Sequence, residues 1–139
     1  MKAIALFTLV LLGNCHFSTA QNLVHSNKII EAYGQEWFDR NATANPGILS
    51  LMDTYIAQGF FLEVIEDEKY TSFQSLDRIP LRSKSEEFVS IEDFIDSYSS
   101  NDFNPLLYGF FPINTVQIFK LEGHNKIIRI QPQSTLINN

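Results

Sequence analysis

The side chains of this chain that could do chemistry or hold a partner fall into four groups: two histidines, scattered carboxylates, one basic cluster and one aromatic run. His25 and His124 are the histidines outside the first twenty residues. Neither has a His, Asp or Glu at metal-ligand spacing, such as i, i+4 on a helix, so both read as exposed loop histidines. Among the carboxylates, Glu63 and Glu66 border a predicted strand, and Asp93 and Asp96 lie one turn apart on a predicted helix. Paired-carboxylate catalysis needs two groups whose pKa values are driven apart across a cleft. Neighbours on one element do not supply that, and a solvated surface accounts for these acids.

Arg78, Arg82 and Lys84 form the one local basic cluster. If Arg78 and Arg82 point the same way, they can hold a carboxylate, a phosphate or an acidic partner surface. The simpler alternative pairs them with Asp77, Glu86 and Glu87, or with Glu66-Asp67-Glu68. The aromatic run is Leu106, Leu107, Tyr108, Phe110 and Phe111 around Gly109, held between Pro105 and Pro112. It either forms an apolar contact patch, for which Tyr and Phe are good anchors, or folds back to cap the sheet. The binding candidates are therefore Tyr108, Phe110, Phe111, Arg78 and Arg82. No G-x-S-x-G elbow, S-x-x-K, G-x-G-x-x-G, P-loop lysine or EF-hand loop occurs. The sequence assigns no catalytic residue, no metal site and no cofactor.

The N-terminus carries a secretory pattern. Met1-Lys2 is a short positive start, Ala3–Leu12 is apolar, and Ser18-Thr19-Ala20 offers small residues to a signal peptidase. The expected cut lies between Ala20 and Gln21. The run is too short to span a membrane, which takes about 20 apolar residues. Cys15, the one cysteine, lies inside this segment. A mature chain without cysteine excludes disulfide scaffolds, zinc thiolates and cysteine nucleophiles, and leaves packing to stabilise the fold. An alternative is that Leu12-Gly13-Asn14-Cys15 acts as a loose lipobox and Cys15 carries a lipid anchor, although Asn14 fits that pattern poorly. The formal charge is −6 and becomes one unit more negative without Lys2. Such a balance disfavours nucleic acid and anionic membranes as partners.

The elements that must position these groups follow from periodicity. Ile29, Ile30, Tyr33, Trp37 and Phe38 predict a helix over 27–40, capped by Ser26 or Asn27, with Gly34 as a kink or break. A loop over 41–45 would carry the glycosylation sequon Asn41-Ala42-Thr43. Asn45-Pro46 opens a second helix over 46–58, with Gly59 as its left-handed cap. Residues 60–66 read as an interior strand or one covered on much of both faces, 68–84 as a loop with an edge strand near 79–82. Ser90 with Asp93 caps a helix over 91–98. Strands 116–121 and 126–131 form a hairpin with Gly123-His124 in a type II′ turn. That turn pairs Leu121 with Lys126, Phe119 with Ile128 and Gln117 with Ile130.

These elements predict one α+β domain over 21–139, with loose ends at 21–26 and 133–139. A small, mainly antiparallel sheet of three or four strands would be packed by helices. Two functional classes fit. One is a non-enzymatic interaction or accessory module of the envelope or secreted fraction, bound to another such protein. The other is a small exported hydrolase-like enzyme with a carboxylate/arginine site. Missing nucleophile, metal and cofactor signatures favour the first.

Overall fold

The computed structural model describes residues 23–66, 73–83 and 87–137. The N-terminal stretch expected to be a secretory signal, with Cys15, lies outside them, as do Asp67, Glu68, Lys84 and Glu86.

The described residues begin with three helices, α1 (Ser26–Tyr33), α2 (Gln35–Ala44) and α3 (Pro46–Gln58). Gly34 is a full break between the first two. Its φ of +88° suits a residue without Cβ, and it ends one helix and begins the next. Asn41–Ala44 is helical rather than a loop, because α2 runs on to Ala44. The sequon asparagine therefore sits in the last turns of α2, its side-chain amide donating to the Trp37 carbonyl at 2.8 Å. Ser26 is the first helical residue instead of a cap, and the His25 carbonyl accepts from Lys28 N and Ile29 N. Asn45 caps α3 through its carbonyl, which accepts from Ile48 N at 3.1 Å, and its side chain makes no cap bond.

Gly59 corrects a stated expectation. Its φ is −100°, in the right-handed region, so no left-handed cap is needed. Glycine is required there for space. A Cβ would stand 2.5 Å from the Tyr55 ring and 2.9 Å from the Tyr55 Cα. The chain can then turn straight from α3 into β1 (Phe60–Val64).

The main sheet also contains β2 (Gln74–Leu76), β5 (Gln117–Leu121) and β6 (Lys126–Ile130), in the order β1-β6-β5-β2. All pairs are antiparallel except β2 with β5. The hairpin register is as the sequence predicts, with Phe119 opposite Ile128 and Gln117 opposite Ile130. Its turn differs. His124 N donates to the Leu121 carbonyl at 3.2 Å, which puts Gly123 third in the turn with a φ of +76°, not second as type II′ requires. Among the described residues β1 is an edge strand, not an interior one, though Phe60 to Glu63 are buried or half-buried on both faces. Strand β3 (Ile79–Pro80) forms where expected, but it pairs with β4 (Phe88–Val89) in a separate ladder. The fourth place in the main sheet goes to β2.

Helix α4 (Ile91–Tyr98) has the predicted cap, with Ser90 Oγ accepting from Asp93 N at 3.1 Å. Gln133–Ile137, expected as a loose tail, is a short helix, α5, anchored by buried Leu136. One apolar core draws residues from α1 through α5 and from β1, β3, β5 and β6.

Phe60, Leu62, Phe119, Leu121, Ile128 and Ile130 form the core face of the sheet. The opposite face alternates Phe61, Glu63, Ile118, Lys120, Ile127 and Arg129, none of them fully exposed. Arg129 lies 4.6 Å from the Phe61 ring centre, and its Nε donates to both Glu63 oxygens at 3.0 and 3.1 Å. These hydrogen bonds hold the Glu63 carboxyl below its ordinary value of 4.5. A depressed folded value stabilises the fold above the unfolded value, and that contribution is lost as pH falls through the folded one. Urea unfolding measured stepwise below pH 4.5 should therefore show a shallower acid loss in Arg129→Met than in the parent. Equal acid slopes would contradict this role of the pair.

Candidate functional site

The most defined surface arises where the aromatic run leaves the core. Asn104 starts it. Asn104 is 2% exposed, and every polar atom of its side chain is used. Its Nδ2 donates to the Lys28 carbonyl and to Glu31 Oε2, both at 2.8 Å, while Oδ1 accepts from Leu106 N at 3.2 Å. This fixes the 3-10 turn Pro105–Leu107 against α1. Gly109 then passes close to Pro80, donating to its carbonyl at 2.7 Å; a Cβ would meet the Pro80 ring at 3.0 Å.

Beyond Gly109 the chain is extended, and burial alternates. Phe110 and Pro112 are buried and Phe111 and Ile113 exposed, with the centre of the Phe111 ring 6.3 Å from that of Tyr55. Four consecutive carbonyls are tied down. The Phe110 carbonyl accepts from Tyr55 Oη at 3.5 Å, Phe111 from Gln117 Nε2 at 2.8 Å, Pro112 from Gln133 Nε2 at 2.9 Å and Ile113 from Gln133 N at 2.8 Å. Burial, and secondarily the neighbouring Tyr33, pushes the Tyr55 phenol up, so it stays a donor. The result is a rigid ledge with Phe111 36% and Ile113 50% exposed, followed by exposed Val116.

The sequence candidates separate. Tyr108 and Phe110 are each 7% exposed, with their rings packed against Phe94 and Phe60. Any contact surface in this run thus rests on Phe111. The two arginines do not share a task. Arg82 Nε donates to the Leu106 carbonyl at 2.9 Å, its terminal nitrogen donates to the Ala32 carbonyl, and its guanidinium lies 3.9 Å from the Tyr33 ring centre. It clamps α1 to the 3-10 turn. Burial raises the Tyr33 phenol there, and the charge of Arg82 opposes the rise. Arg78 is exposed, 4.2 Å from the Phe88 ring centre, with Asp77 at 3.8 Å.

Sequence reasoning missed the histidine partners. His25 N donates to Asp53 Oδ1 at 2.7 Å, and its ring Nδ1 lies 3.2 Å from the same oxygen. The two residues are far apart in sequence, so no local spacing signals the pair. His25 lines an open cleft of about 630 Å³ with Lys28, Glu31 and Asp102. His124 Nε2 lies 3.2 Å from Glu92 Oε1 and joins the hairpin tip to α4. Among the described residues no group of three or more His, Cys, Asp or Glu is placed to hold a metal ion.

Arg82→Met should destabilise the fold by about 2 kcal/mol, because two charge-assisted hydrogen bonds to carbonyls are lost. Arg78→Met should change it by less than about 0.5 kcal/mol, as expected of an exposed site. Paired urea titrations check this, and equal losses would contradict the clamp. The chain matches no family model, no curated protein and no solved structure.

Proposed function

We propose that the protein is an exported, non-enzymatic interaction module that binds another secreted or envelope protein through the ledge Phe111–Val116. The observation that carries this reading is the backbone of that ledge. Its carbonyls from Phe110 to Ile113 are all hydrogen-bonded, so Phe111 and Ile113 are held outward before any partner arrives. Preorganised apolar side chains bind with little ordering entropy left to lose. Apolar residues grouped on a short rigid segment are the usual mark of a contact site. Phe88 with Arg78 stacked on it is a second exposed candidate.

Export rests on the signal pattern of Met1–Ala20, with a lipid anchor on Cys15 as the alternative. Among the described residues, no helix is long and apolar enough to cross a membrane. An enzyme is the second reading. Its carboxylate/arginine form loses support because Arg82 is bound to carbonyls of its own chain. The His25–Asp53 pair beside the cleft is the observation that favours it.

Tagged protein should capture a specific partner from its own medium or envelope. Phe111→Ser with Ile113→Ser should reduce capture by roughly tenfold, the loss expected of an interface anchor, in a variant that still unfolds cooperatively at a midpoint lowered by the lost contact of Phe111 with Tyr55. Full capture by the double variant, or no capture by the parent, would contradict the ledge. Intact mass of the same preparation tests export, with a chain starting at Gln21 expected and a lipidated Cys15 supporting the anchor.

A further inference from the structure

Among the described residues, no strand pairs with the edge of β1 that faces away from β6. Gln131 N donates to the Gly59 carbonyl at 2.9 Å and Ile65 N to the Asn125 carbonyl at 2.7 Å. Both bonds belong to the register that sets Phe61 opposite Arg129 and Glu63 opposite Ile127. In an antiparallel pair the hydrogen-bonded positions alternate. The odd-numbered residues of β1 therefore bond to β6, and Phe60, Leu62 and Val64 turn their N–H and C=O groups the other way. Among the described residues nothing hydrogen-bonds to those groups. An open apolar edge of this length is a template for another strand, and proteins usually guard it with proline, lysine or an unpaired charge. β1 reads Phe-Phe-Leu-Glu-Val, and its one charge, Glu63, is already bound by Arg129.

We propose that β1 pairs antiparallel, in two-fold symmetry, with β1 of a second copy of this chain, centred on Leu62. This register sets Leu62 opposite its own copy and Phe60 opposite Val64. Every free N–H along the seam then meets a free C=O. On the core face the row Phe60, Leu62, Val64 continues across the seam and covers Val64, which is 60% exposed in the single chain. On the other face Glu63 comes opposite the copy's Phe61, the ring that carries an Arg129 guanidinium. Each Glu63 keeps its own Arg129, and the register sets it opposite Phe61 rather than opposite the copy's Glu63, so no like charges meet directly across the seam. A self-complementary patch of this kind closes as a dimer and goes no further. The pairing does not depend on the ledge at Phe111–Val116.

Sedimentation velocity on the purified protein tests it over about 1 to 100 µM, the range of a moderate dimer affinity. The mass should rise to twice that of one chain. Val64→Pro removes one seam donor at an edge position and should stay monomeric, while Val64→Thr, which keeps the donor, should dimerise. Amide exchange on the unmutated protein needs no variant to fold. Protection at Leu62 and Val64 should grow by roughly tenfold across the same range, following dimer population. A monomer throughout would overturn the proposal, as would a dimer without added protection at those two amides. So would a β1 edge that pairs only with a different protein.

Discussion

The ring of Phe60 is the contact on which the rest of the structure depends. It lies 5.6 Å from Phe103, 6.0 Å from Phe110, 6.1 Å from Phe94 and 6.3 Å from both Tyr55 and Tyr98, centre to centre. Those five rings come from α3, α4, the turn after α4 and the ledge. Each such pair adds about 0.5 to 1.5 kcal/mol beyond the area it buries. One residue on an edge strand therefore joins helices that are distant in sequence. Gly59 makes this possible, since any side chain there would collide with Tyr55 and displace Phe60. No disulfide within the chain can substitute for the cluster, since Cys15 is its one cysteine.

Two polar residues complete what the aromatic cluster leaves open. Asn104 and Arg82 satisfy carbonyls of α1 and, with Asn104 also holding Leu106 N, fasten the 3-10 turn to that helix. Buried polar atoms are destabilising unless paired, and among the described residues no buried side-chain nitrogen or oxygen lacks a partner. The ledge depends on this order of events. Once Phe110 and Pro112 are buried on a pinned backbone, alternation leaves Phe111 and Ile113 facing outward.

Helix α3, the capped α4 and the hairpin register were legible because each carries a local signal: Pro46 at a helix start, Ser90 with Asp93, and a two-residue apolar period. β2 was not. Gln74-Ser75-Leu76 has no apolar pattern, and its strand character comes from docking in parallel beside β5. The edge position of β1 was hidden because Phe60 is buried by rings from loops and helices, which gives it the look of an interior strand. The split between Phe110 and Phe111 could not be read from composition. It follows from Tyr55, Gln117 and Gln133 gripping successive carbonyls, contacts set by tertiary geometry. The Asp53 partner of His25 is invisible to local spacing for the same reason.

Phe60 makes sheet and helices one cooperative unit. Trp37, the single tryptophan, stands on α2 and stacks on Tyr33, apart from the Phe60 cluster. The most direct test is equilibrium unfolding of Phe60→Ala followed at once by Trp37 fluorescence and by far-ultraviolet circular dichroism. Both probes should show coincident transitions, destabilised together by about 3 to 5 kcal/mol. A Trp37 transition that stays at its parental midpoint while the dichroism transition falls would contradict this.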